Sequence, residues 1–271
     1  MDEGEGDTVM MLHGNPTWSF YYRELIQHLR STFRCIAIDN MGCGLSDKPQ
    51  NYSYRLADHI FNARKVAEHL KLGRFHLVMH DWGCAIGMAL AERWPERIES
   101  LVIMNGAAFH SPQIPKRIAL CKIPLLGSFL VRGLNAFVLG SNLMATAKGL
   151  DSTVALGYKF PYDSWKNRIA IKKFVEDIPL HRNHPSWDTL TAIQDGLFLL
   201  SQKKILLLWG ARDFCFTEVF FNEWKQFFSR TKDVVYEDAG HYVLEDMGKE
   251  AVSEIRQFIV YAKKPEVTLY S

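Results

Sequence analysis

Short apolar runs punctuate the chain at Thr8–Leu12 (TVMML), Cys35–Ile38 (CIAI), Phe75–Met79 (FHLVM), Leu101–Met104, Ile205–Trp209 (ILLLW) and Asp233–Tyr236 (DVVY). Most are continuously apolar rather than alternating, the pattern of strands buried on both faces. Between them, Phe20–Leu29, Leu56–Leu70, Ile86–Trp94 and Glu250–Tyr261 carry apolar residues at helical spacing. Strand and helix alternate, which predicts an α/β fold, a mostly parallel sheet with helices on both faces. The rhythm breaks after Asn105. Residues 110–195 read as helical stretches punctuated by Pro112, Pro115, Pro124, Pro161, Pro179 and Pro185, with no convincing strand. The expected organisation is a core made of residues 1–109 and 196–271, interrupted by a helical cap over 110–195. A small-molecule site is expected between the cap and the C-terminal ends of the strands.

Composition narrows the partner. Among 271 residues, 32 Lys and Arg against 30 Asp and Glu leave a net charge of +2, without the basic stripe a nucleic-acid binder shows. No apolar run reaches the roughly 18 residues of a membrane span. The acidic start MDEGEGDTVMM has no basic segment ahead of an apolar one, so no signal peptide is predicted. Five scattered cysteines (Cys35, Cys43, Cys84, Cys121, Cys215) lack Cys-x-x-Cys spacing and read as free thiols of a cytoplasmic protein. His181 and His184 lie near Pro179 and Pro185 and read as loop residues, so neither metal nor cofactor is expected. A small apolar substrate is the expected partner.

The strongest local signal is Met79-His80-Asp81-Trp82-Gly83, between a strand and a helix that begins with small residues. That is the setting of a nucleophile elbow, with Asp81 where Ser usually stands. Alone, Asp81 reads equally well as a helix cap. Two further loops change the balance. Trp209-Gly210-Ala211-Arg212-Asp213 and Asp238-Ala239-Gly240-His241 each follow a strand, so Asp81, Asp213 and His241 fall in the order nucleophile, acid, histidine. Asp238 and Glu245 are alternative acids, but neither follows the preceding strand. A carboxylate nucleophile displaces a leaving group from an sp³ carbon and becomes an alkyl ester. His241 then activates the water that hydrolyses it, with Asp213 orienting the imidazole. A serine esterase is disfavoured, since Ser19 and Ser46 lie in other loops. His13-Gly14-Asn15-Pro16 follows the first strand, where an oxyanion hole is expected. The side chains of Asn15 and Trp82 are uncharged N–H donors suited to a departing halide.

HGNPTWSFYYR (13–23), DNMGCGLSDKP (39–49), HDWG (80–83), GARDF (210–214) and DAGHYVLED (238–246) resemble the haloalkane dehalogenase family of α/β-hydrolases, in its subfamily with an Asp-His-Asp triad plus Asn and Trp. In the cap, VRGLNAF (131–137), YDSWKNR (162–168) and FVEDIP (174–179) are similar to bacterial β-lactone decarboxylases of olefin biosynthesis. The resemblance implies an α/β-hydrolase fold with an inserted cap. Asp81 then either displaces halide or opens a long-chain β-lactone with release of CO₂ and an alkene. An epoxide hydrolase is a third reading, with Tyr158 and Tyr162 as ring-opening acids, and a non-catalytic receptor a fourth, disfavoured by the complete triad. Phe109, Phe137, Trp165 and Phe174 are candidate pocket walls. Family members carry two more strands ahead of the one ending in His-Gly. Here those N-terminal strands are expected to be missing, leaving a bare edge prone to self-association.

Overall fold

Seven strands form one sheet: β1 (Asp2–Glu3), β2 (Asp7–Leu12), β3 (Phe33–Ile38), β4 (Phe75–His80), β5 (Ile98–Met104), β6 (Lys204–Gly210) and β7 (Thr231–Tyr236), in the spatial order β1-β3-β2-β4-β5-β6-β7. This computed structural model describes residues 1–263. All neighbours pair in parallel except β1, which lies antiparallel on β3 with Asp2 opposite Ile36. The seven residues ahead of Thr8 thus supply a short strand of their own, and the β3 edge expected to be bare is paired over two residues. Arg34 and Asp2 add a bidentate ion pair across it, at 2.6 and 2.8 Å.

Alternation within the strands builds two cores. Met10, Leu12, Leu77, Met79, Leu101, Ile103, Ile205 and Leu207 face one way, where α2 (Leu56–His69), α3 (Trp82–Arg93), α9 (Trp187–Gly196) and α10 (Glu218–Phe227) cover them. Val9, Met11, Val78, Val102, Met104, Leu206 and Leu208 face the other way, under α1 (Arg23–Leu29) and α11 (Val243–Ala262). Each such side chain stabilises the fold by about 1.5–3 kcal/mol through burial. α3 lies close on the sheet because it begins with small residues: a Cβ on Gly83 would come within 2.0 Å of the Leu12 carbonyl oxygen.

Between β5 and β6, among the described residues, the chain is helical and turned with no strand: α4 (Lys116–Lys122), α5 (Leu126–Ser128), a π turn (Phe129–Gly133), α6 (Ala136–Met144), α7 (Ser152–Lys159) and α8 (Ile169–Glu176) precede α9. α9 packs on α3, so its segment belongs to the layer beside the sheet. Arg23 anchors α7 to the rest. Its guanidinium grips Glu245 at 2.6 and 2.7 Å, and the Tyr158 hydroxyl of α7 donates to the same carboxylate. No helix of the described residues is long and apolar enough to cross a membrane.

The sheet order carries the functional consequence. The chain leaving β2 leads to β3 on one side of it and the chain leaving β4 leads to β5 on the other, so the two loops part in opposite directions and open a crevice between them.

Candidate active site

The crevice holds Asp81. The residue sits at φ 53°, ψ −124°, a left-handed conformation that aspartate rarely adopts. Its surroundings enforce that turn: the Asp81 N–H donates to the Asn105 carbonyl at 3.2 Å, and a Cβ on Gly106 would lie 2.6 Å from the Asp81 carbonyl oxygen. The turn lifts the carboxyl clear of the sheet end, over the β2 loop. There Gly14 is obligatory, because a Cβ would stand 1.9 Å from Asp81 Oδ1. The Asn15 N–H donates to that oxygen at 2.7 Å, and the Trp82 N–H also supports the carboxylate. His13 stiffens this loop. Its Nε2 accepts the Asn40 N–H at 2.9 Å, which leaves Nδ1–H to donate to the Gly14 carbonyl at 2.7 Å.

His241 faces the carboxyl from the loop after β7. Its Nε2 lies 3.7 Å from Asp81 Oδ2, and its Nδ1 lies 2.7 Å from Asp213 Oδ2. With Nδ1 donating to Asp213, Nε2 is the ring nitrogen that faces Asp81. Three groups hold Asp213: the Cys215 N–H at 2.6 Å, His241, and the Asn105 side-chain amide at 2.9 Å. Asn105 also accepts the Gly210 N–H at 2.8 Å, so one amide fixes both the acid and the end of β6. The rival acids are occupied elsewhere, Glu245 by Arg23 and Tyr158, and Asp238 by Arg212 at the surface. The His241 loop is tied to the end of α6: Asp246 accepts the N–H groups of Gly240, Ala147 and Lys148, and the Tyr242 N–H donates to Ala145.

The electrostatics follow from burial. Asp81, Asp213 and His241 are 6%, 3% and 6% exposed. Desolvation pushes the Asp81 carboxyl up to about 6, against the His241 charge and the two backbone N–H groups that favour its ionised form. Burial alone would depress His241. The Asp213 carboxylate, by its charge and its hydrogen bond, outweighs that, and His241 ends above its ordinary value.

Above Asp81 lies a cavity of about 400 Å³, lined mainly by apolar side chains from both the sheet ends and the helical segment, among them Phe109, Ile118, Phe137, Val175, Leu190 and Phe220. Asn15, Trp82 and His241 line it beside Asp81. The Asn15 amide spends one hydrogen on the Ile171 carbonyl at 3.2 Å and keeps a second.

Of the four expected pocket walls, the structure brings Phe109 and Phe137 to the cavity and places the other two elsewhere. Trp165 is 47% exposed beneath the Arg132 guanidinium, whose carbon lies 4.6 Å from the ring centroid. Phe174 is buried one layer back, stacked on His59 and packed behind Trp82. The tyrosines expected for ring-opening are also absent from the lining: Tyr158 serves Glu245, and the Tyr162 hydroxyl meets Gly44 N and Thr17 O at 3.3 and 3.4 Å. Sequence reasoning missed Asn105. Its place just after β5, beside a strand end that carries an acid, was the available signal.

A profile described as the alpha/beta hydrolase fold matches residues 7–247. The chain is 39% identical over 266 residues to a cis-3-alkyl-4-alkyloxetan-2-one decarboxylase of Shewanella oneidensis, covering 96% of this chain and 84% of that protein. It is 29% identical over 281 residues to a haloalkane dehalogenase of Sphingobium indicum, covering 96% and 90%. Its fold matches that of the haloalkane dehalogenase DbeA from Bradyrhizobium elkani with a TM-score of 0.88, at 23% identity and over 96% and 93% of the two chains.

Proposed function

The chain belongs to the α/β-hydrolase fold family, among β-lactone decarboxylase and haloalkane dehalogenase homologues, and from that premise we propose that Asp81 is a carboxylate nucleophile of the haloalkane dehalogenase type. The observation that carries the reading is one carboxyl, lifted out at φ 53°, gripped by the Asn15 N–H and facing His241 on the floor of an apolar cavity. Asp213 orients His241, and Asn105 positions Asp213. In the same reading residues 110–195 are inserted into a core of 1–109 and 196–271, with α4 to α8 capping the site and α9 lying on α3, and the five free thiols suit a cytoplasmic setting.

The favoured substrate is a β-lactone carrying two alkyl substituents, supported by the full-length similarity to the decarboxylase and by the apolar cavity. One Asp81 oxygen attacks the sp³ ring carbon bonded to the ring oxygen, that C–O bond breaks, and the freed carboxylate remains on the neighbouring carbon. That carboxylate then leaves as CO₂. Its bonding pair becomes the C=C bond, and the Asp81–carbon bond breaks to return the carboxylate. No water or proton is consumed. Asp81 must be ionised to attack, and the backbone N–H groups of Asn15 and Trp82 hold the carboxyl both before the attack and after expulsion.

Hydrolysis of a carbon–halogen bond is the second reading, favoured by the placement of Asn15 and Trp82 beside Asp81 in the cavity. Its first step is the same displacement. Its second needs His241 to deprotonate a water that attacks the ester carbonyl, giving an alcohol. Turnover in ¹⁸O-water separates the two. Alkene and CO₂ from the lactone with Asp81 unlabelled are expected, whereas halide hydrolysis places ¹⁸O in the Asp81 carboxyl. Lactone turnover that persists in Asp81→Ala would overturn both.

A further inference from the structure

The segment from α4 to the start of α8 has an unusual surface. Residues 110–170 hold eight Lys or Arg against two acidic residues, a balance of +6 in a chain of net +2. Lys116, Arg117, Lys159 and Lys166 are exposed and have no carboxylate partner among the described residues. The same surface exposes large apolar side chains that a protein normally buries: Leu125 at 86%, Leu143 at 81%, Phe129 at 56% and Leu134 at 54%. The elements that carry them adjoin. α4 packs on α5, and both α5 and α6 pack on the π turn between them, while a Cβ on Gly133 would touch the rings of both Phe129 and Trp165.

The cavity opens here. Leu120 and Met144 are 44% and 38% exposed, yet both line the cavity above Asp81. Arg117 of α4 reaches Met144 of α6, Nη1 to Sδ 2.7 Å, at the rim. The apolar cavity therefore reaches the surface among exposed apolar side chains, with Arg117 at its rim.

We propose that this face docks on an anionic lipid bilayer, with the cavity mouth set at the boundary between headgroups and acyl chains. Apolar side chains with surrounding Lys and Arg are the combination that binds such an interface, the first by burial and the second by attraction to anionic headgroups. A second copy of the chain is disfavoured by charge. A two-fold contact through this face would set one +6 segment against another. Docked, the protein takes an apolar substrate from the membrane without exposing it to water. The inference does not rest on the reaction at Asp81, because binding to lipid is read without turnover.

The test is flotation of the purified protein with vesicles of phosphatidylcholine alone and of phosphatidylcholine with phosphatidylglycerol. The expected result is at least about tenfold more protein on the anionic vesicles, weakened by high salt. Leu125→Asn with Leu143→Asp, and separately Lys159→Glu with Lys166→Glu, should abolish that preference with an unchanged circular dichroism spectrum. Absence of flotation, or equal flotation on both vesicles, overturns the proposal. So does a dimer in sedimentation that Leu143→Asp dissociates, which would assign the face to a second copy.

Discussion

Removing the charge of Asp81 should make the protein more stable. In the native state burial holds this carboxyl at about 6, against an ordinary value of 3.8 that it recovers in the unfolded chain. At about 1.4 kcal/mol per pH unit, ionised Asp81 costs the folded state about 3 kcal/mol. The sign follows from which state ionises first. Below about pH 4 both states keep the proton and nothing is lost. As pH rises toward 6 the unfolded chain gives up its proton first, so ionisation favours unfolding, and above 6 the full cost is present. Asp81→Asn retains an oxygen to accept the Asn15 N–H but buries an amide N–H that must find an acceptor, which reduces the net gain to about 2 kcal/mol at pH 8. For a chain of this length that is a rise of about 4 °C in Tm. Urea unfolding of both proteins from pH 4 to 8 gives the difference directly. It should be near zero at pH 4, grow through the window to 6 and change little above. A difference independent of pH, or a variant less stable than the parent at pH 8, would refute the claim that the fold bears a desolvated nucleophile.

Three further outcomes follow from the same geometry. His241→Ala should leave the first displacement intact, so a bromoalkane traps an alkyl ester on Asp81, visible by intact mass, while alkene formation from a β-lactone falls less than halide hydrolysis. In the parent, kcat/KM should drop tenfold per pH unit below about 6, as Asp81 takes up a proton, and a profile flat to pH 4.5 would contradict this. Gly14→Ala, whose Cβ would meet Asp81 Oδ1 at 1.9 Å, should displace the carboxyl and cost at least about 10²-fold in kcat.

Asp81, Asp213 and His241 were legible because each stands in a short loop directly after a strand, and the sheet order then fixes their meeting. The strands themselves were legible because burial on both faces writes an unbroken apolar run. The pocket walls were not. Whether an aromatic ring lines a cavity depends on which neighbours claim its face. Arg132 claims Trp165 and His59 claims Phe174, and neither partner is near in sequence. Asn105 escaped for a related reason. Its bond to Asp213 spans 108 residues and exists only because β5 and β6 are neighbours. The short β1 was invisible too, since Asp2 and Glu3 have low strand propensity and are held by pairing with Cys35 and Ile36.

The apolar cavity sets a problem of exit on the β-lactone reading. The substrate arrives with a polar ring that must be stripped of water to reach Asp81, whereas the alkene that forms has no polar atom and nothing to regain from solvent. Product therefore fits the cavity better than substrate does, and each cycle tends to end in a clogged enzyme. Turnover is then governed by a sink for hydrocarbon rather than by bond breaking. The rate in plain buffer should fall as alkene accumulates and recover when an apolar phase is supplied at the mouth.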